Sequence, residues 1–129
     1  MKFQPDQLDG VNAVSRLDTG RIWVHAQPFS HSVLVPWRGA VQPWPAQRPE
    51  DLDAACFDLA AQWQPEVVIF GSGPAHRFVS PALYRGLIAQ RIGVETMDTA
   101  AACRTYNVLV NEGRKVVGAF IVAPAPSAG

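Results

Sequence analysis

Apolar residues are spread unevenly along this chain. The first third holds short, interrupted runs, the middle is broken by prolines, and the second half carries periodic blocks separated by sharp turns. Residues 11–16 and 21–26 read as two short β-type runs joined by the turn Asp18-Thr19-Gly20, and a third run extends from Phe29 to Val35, stopped by Pro36. Segment 36–49, PWRGAVQPWPAQRP, carries four prolines, which exclude a helix or a central strand. Its two indoles, Trp37 and Trp44, predict a loop packed on the body, because large exposed apolar rings are costly.

From residue 50 the rhythm becomes regular. Pro49-Glu50-Asp51 opens a predicted helix whose apolar positions Leu52, Ala55, Cys56, Leu59 and Trp63 follow helical spacing, with early acids that suit the helix dipole. Gln64-Pro65 ends it. The run from Glu66 to Phe70 is continuously apolar after its first residue, which predicts a strand buried on both faces. Ser80 as N-cap and Pro81 at the first helical position start a second helix to about Gln90, closed by Gly93. A short strand follows over 94–97. Asp98 or Thr99 then caps a third helix through Glu112, Gly113 is its left-handed stop, and 115–122 is the last strand. The order αβαβαβ implies a largely parallel sheet with packed helices, and the N-terminal strands must pair with that sheet or lie across it. The expectation is one α/β domain over 1–122, with a loose arm over about 1–10 and a disordered Pro/Ala/Gly tail over 123–129.

Composition narrows the function more than the fold. At 129 residues, 48% apolar and 17% charged, the chain can bury a single core without staples. Eleven basic residues balance eleven acidic ones, which argues against nucleic acid or an anionic membrane as a bulk partner. Nine of the eleven bases are Arg, the residue suited to planar anions, although a genome rich in G and C also yields many Arg, Ala and Pro. Cys56 and Cys103 sit in alanine-rich helical contexts without zinc spacing, and read as buried thiols of a reducing compartment. MKFQPDQLDG shows no apolar signal region, and no presequence rich in Arg and Ser is expected. No uncharged apolar stretch is long enough to span a bilayer, so no membrane insertion and a cytoplasmic location are expected.

The candidate chemistry gathers at two strand ends. VVIFGSGP (67–74) stops at a paired-glycine turn, but Gly71-Ser72-Gly73-Pro74-Ala75-His76 lacks the third glycine of a dinucleotide fingerprint, and its helix begins too late. No cofactor is implied. The turn still stands where open α/β sheets bind ligands, and Gly71, Ser72 and Gly73 could present backbone N–H groups to a small anion beside Arg77. The second strand end, VETMDTAAACRTYN (94–107), runs from Met97 into the Thr99 helix start, where Arg104 and Asn107 share a helix face with Asn111. That polar stripe suits a binding face or solvated and intramolecular roles. Gly73, Arg77, Thr99 and Arg104 are expected to converge on one cleft. No nucleophile–base pair, catalytic triad or metal-binding set is evident, so no catalytic residue is assigned and the reading leans away from an enzyme.

The ordered series formed by the paired-glycine turn, G-V-E-x-M-D-T, A-C-R-T-Y-N-x-L and E-G-R resembles a small family known as domain of unknown function 498. That family includes a mitochondrial complex I assembly factor and an adipogenesis-associated cytosolic protein. The similarity covers roughly residues 11–122, is most specific over 67–122, and departs most in 36–49 and the tail. The resemblance implies a three-layer α/β domain with a mixed, mainly parallel five-stranded sheet and an additional β layer from the N-terminal strands. It implies accessory and assembly-type proteins without an established reaction. Two readings follow. The first is a non-catalytic protein-interaction module with Trp37 and Trp44 as aromatic anchors for an unidentified partner. The second is a small-anion or nucleotide-binding protein, enzyme or not, using Gly71, Ser72, Gly73, Arg77, Thr99, Arg104 and Asn107.

Overall fold

The computed structural model describes residues 1–3 and 10–125. Most of the expected loose arm and part of the expected tail fall on 4–9 and 126–129, outside the described residues. Three antiparallel strands, β1 (Val14–Asp18), β2 (Arg21–Val24) and β3 (Gln27–Phe29), form a small sheet in that order. Residues 1–3 run beside β1: Phe3 N–H donates to Ser15 O at 2.9 Å, and Leu17 N–H to Met1 O at 2.8 Å. The other strands are β4 (Val33–Pro36), β5 (Gln42–Pro43), β6 (Val67–Gly71), β7 (Gly93–Met97) and β8 (Val116–Phe120), in the order β5-β4-β8-β6-β7. β6 lies parallel to β7 and β8, and β4 runs antiparallel to β8 and β5, so the central sheet is mixed.

Among the described residues three α-helices, α1 (Ala54–Asp58), α2 (Arg85–Ala89) and α3 (Thr99–Asn111), complete the fold. From β6 the chain moves outward to β7 and then back past β6 to β8. Right-handed crossovers in opposite directions put α2 and α3 on opposite faces. Strand alternation divides the core accordingly. Val67, Ile69, Val116 and Phe120 face α3 and the three-stranded sheet, packing with Tyr106, Cys103, Val14 and Ile22. Val68, Phe70, Val117 and Ala119 face α1 and α2, packing with Trp44, Phe57 and Leu87. The outcome is the three-layer α/β domain with an added N-terminal β layer.

Several local expectations shift. The single run predicted from Phe29 to Val35 is divided between the two sheets, with Ser32 buried at the corner and its Oγ accepting from Val122 N–H at 2.9 Å. The first helix keeps only part of its predicted stripe: Leu52 and Cys56 are buried, joined by Phe57 and Ala60, whereas Ala55 is exposed and Leu59 is 42% exposed. Pro49–Asp51 is a separate 3₁₀ turn, and Asp53 is the true N-cap, accepting from Cys56 N–H at 2.9 Å; that bond holds its carboxyl below the usual range. Beyond α1 the chain tightens into 3₁₀ over Leu59–Trp63 and stops at Gln64 (φ 50°). Arg91 (φ 62°), not Gly93, takes the left-handed position after α2, and Gly93 opens β7.

Candidate functional site

Strand order reverses around β6, and its C-terminal end is the crevice where open α/β sheets bind ligands. The chain knots itself tightly there. A Cβ at residue 71 would stand 2.8 Å from Thr99 Cα and 3.1 Å from the Ala102 methyl, so only glycine lets the start of α3 lie this close to the strand. Gly73, at φ 107°, turns the chain back, and its N–H donates to Thr99 Oγ1 at 2.8 Å while its C=O accepts from Thr99 N–H at 2.9 Å. Thr99 Oγ1 in turn donates to Ile121 O at 2.8 Å, and Ile121 N–H donates to Gly71 O at 2.8 Å. One hydroxyl therefore ties β6, α3 and the exit of β8 together.

The turn's polar groups are committed inward. Ser72 N–H donates to Met97 O at 2.9 Å; its hydroxyl lies 2.9 Å from Ala75 O and 3.2 Å from Met97 O, and accepts from Arg77 N–H at 2.9 Å. The backbone donors of Ser72 and Gly73 thus point into the fold, not toward an anion. Two clefts flank the knot. One, of about 340 Å³, is bounded by Leu17, Asp18, Gly73, Thr99, Ala100 and Val122 and is mostly apolar. Its carboxylate, Asp18, is held below the usual range by hydrogen bonds from the Met1 ammonium and from Arg16. The other, of about 300 Å³, is bounded by Arg48, Glu50, Ser72, Ala75 and Arg77.

The predicted cleft residues are therefore brought together only in part. Gly71, Ser72, Gly73 and Thr99 meet, and the turn touches the helix start directly. Arg77 lies on the opposite side of the turn, ion-paired with Glu50. Arg104 borders neither cleft, and its Nη1 is 3.5 Å from Met1 Sδ. Asn107 is only 9% exposed and spends its amide on β1, accepting from Val14 N–H and donating to Val14 O, both at 2.9 Å. The aromatic pair separates as well. Trp37 is half-buried at the edge of both core clusters, whereas Trp44 is 3% exposed, with Nε1–H donated to Cys56 O at 2.9 Å. Trp44 is a core residue, which removes it as a surface anchor.

Burial also decides the thiols and the phenol. Cys103 and Tyr106 are completely buried, and desolvation pushes both well above their ordinary ranges; Cys56 is raised by burial too. Native protein should therefore be nearly inert to Ellman's reagent at mildly alkaline pH, and release two equivalents once unfolded in guanidinium. A native thiol reacting as fast as free cysteine would contradict this burial. Thr99→Val should cost about 1–2 kcal/mol in chemical denaturation, because Gly73 N–H and Ile121 O lose their partner. Thr99→Ser, which keeps the hydroxyl, should recover most of it.

Phe78 was not foreseen. It is 89% exposed on the loop after the turn, its ring 4.9 Å from that of His76; the signal in sequence is a lone aromatic between Arg77 and a β-branched residue. No helix among the described residues is long and apolar enough to cross a membrane.

Known proteins share this framework. The model of a family described as "Protein of unknown function (DUF498/DUF598)" matches residues 14–121. The bovine NADH dehydrogenase [ubiquinone] 1 alpha subcomplex assembly factor 3 is 34% identical over 98 residues, 74% of this chain and 52% of that protein. The chain thus spans about half the length of the curated relatives it matches first. A crystal structure from Bordetella parapertussis superposes with a TM-score of 0.82 at 41% identity, covering 88% of this chain and 98% of that one. A solution structure from Bordetella pertussis, titled a Mth938-like domain, gives 0.83 at 34% identity, with 97% and 94% covered.

Proposed function

Because the chain belongs to the DUF498/DUF598 family of proteins of unknown function, we propose that it is a non-catalytic interaction module that assists the assembly of another protein in the cytoplasm. The observation carrying this reading is the inward commitment of the β6 turn: the groups that would hold an anion instead bond strand to helix. The 34% identity to a bovine assembly factor supports the same direction. Trp37, half-exposed beside the proline-rich loop, is the indole of that segment positioned to reach a partner.

The test pairs two measurements on the full chain. Cross-linking in its native cell followed by affinity capture is expected to return one stoichiometric protein, with recovery reduced by Trp37→Ala. Thermal shifts against phosphates, nucleotides and carboxylates are expected to be flat, since only a ligand that binds the folded state raises the midpoint. A clear rise with one of these ligands, abolished by Arg77→Ala or Thr99→Val, together with no stoichiometric partner, would replace this reading with the small-anion one.

A further inference from the structure

The outer face of the three-stranded sheet carries a row of side chains that neither core cluster absorbs. Ile22 and Val24 point inward, so Trp23 between them points out, and it belongs to neither cluster. The register aligns Trp23 with Arg16 on one side and Pro28 on the other, and Arg16 with Lys2 beyond it. Paired residues of antiparallel strands project to the same face. The face therefore presents Lys2, Arg16, Trp23 and Pro28 in one line across four chain segments. Arg21, two residues from Trp23, stands on the same side.

Two guanidinium groups flank the indole, Arg16 Cζ at 4.7 Å and Arg21 Cζ at 5.8 Å from the ring centre. Asp18 shares this face, opposite Arg21 in the register, but its carboxylate is ion-paired with Arg16 and the Met1 ammonium, while Arg21 and Lys2 form no ion pair among the described residues. A depression of about 360 Å³, bordered by Asp18, Arg21, Trp23, Ser30 and Pro124, opens beside the ring. In a chain of zero net charge this is a local concentration of cation around an aromatic, and Trp and Arg are among the residue types enriched at interface hot spots.

We infer that this face docks an acidic segment of a partner protein, its carboxylates meeting Arg21, Lys2 and the outer edge of Arg16 while an apolar side chain enters the depression beside Trp23. The inference rests on the interaction-module reading and names the surface it uses. An acidic protein segment is favoured over single-stranded nucleic acid by charge. Two guanidinium groups flank one indole here, with Lys2 one segment beyond Arg16, whereas nucleic-acid grooves need an extended basic track and several stacking rings.

The test is an NMR titration of the ¹⁵N-labelled full chain with a short peptide alternating Glu and Tyr. Its controls are the same peptide with Gln for Glu, and oligodeoxythymidylate. Shifts are expected at the amides of Arg16, Arg21 and Trp23 and at the Trp23 indole, weakening with salt, and affinity should drop about tenfold in Arg21→Glu and in Trp23→Ala. Unchanged far-UV CD in both variants keeps a folding defect from imitating the loss. Equal response to the Gln peptide, stronger binding of oligodeoxythymidylate, or shifts confined to the Phe78 loop would each overturn the assignment. Cross-linked capture by the same variants separates the two levels. A stoichiometric partner retained by Arg21→Glu rejects this face but keeps the module reading, and absence of any partner with the native chain rejects the module itself.

Discussion

Trp44→Ala is expected to remove about 3–5 kcal/mol of folding stability, a large share of what a domain of this size possesses. The indole sits edge-on to Phe57 at 5.7 Å and to Phe70 at 5.9 Å, and those two rings meet each other at 5.3 Å. Truncation opens a cavity among them and also strands Cys56 O, which accepts the indole N–H at the C-terminal side of the cap. The midpoint of thermal unfolding should fall by about 10–20 °C, read by CD. Trp44→Phe separates the two contributions: it retains an aromatic contact, loses the hydrogen bond, and should cost about 1–3 kcal/mol. A Trp44→Ala protein of native stability that failed only in partner capture would return this residue to the surface.

Asn107→Leu should be nearly as damaging, at about 2–4 kcal/mol in guanidinium melts, although it adds apolar volume and changes size little. Val14 is completely buried, and both its N–H and its C=O depend on the Asn107 amide across 93 residues of sequence. The β1 strand is bulged between Val14 and Arg16, so the ladder to β2 cannot supply those bonds instead. The neighbouring phenol, Tyr106 Oη, lies 3.1 Å from both Asn12 O and Pro36 O and completes the seam between α3 and the small sheet. Hydrogen exchange should therefore accelerate first in β1 and β2 of the variant while β6 and β8 stay protected. Uniform acceleration would mean that the seam is not a separate unit.

The second half of the chain was legible because its signals reinforce each other. A continuous apolar run in β6, an Asp98 side chain that accepts from Ala101 N–H at 2.8 Å, and a glycine at φ 81° after α3 all mark their elements locally. The misreadings share one cause: partners distant in sequence. Nothing near Asn107 announces that Val14 will use its amide, and nothing near Arg77 announces Glu50. Ala55 and Leu59 fit a helical stripe, yet the break at Asp53 and the 3₁₀ continuation rotate Phe57 and Ala60 inward instead. Trp44 sits in a segment whose prolines identify a loop correctly, but a loop can still plug a core. Its burial depends on Phe57 and Phe70, which arrive later in the chain. The face around Trp23 was within reach, since Arg21-Ile22-Trp23-Val24 alternates and puts the aromatic in the polar phase.

The position of β8 carries a consequence for synthesis. It is the last strand of the central sheet in sequence and its middle strand in space, hydrogen-bonded to β4 on one side and β6 on the other. Until residue 120 has left the ribosome, β4 and the β6–β7 pair have no common neighbour, and the edges of β4 and β6 that β8 will pair stay open. Folding must then wait on contacts of high sequence separation, so a nascent chain spends its exposed interval with two unpaired strand edges open to self-association. A protein of this topology is itself in need of prompt completion, and ribosome pausing shortly before Val116 should be the point at which its yield of folded product is most sensitive.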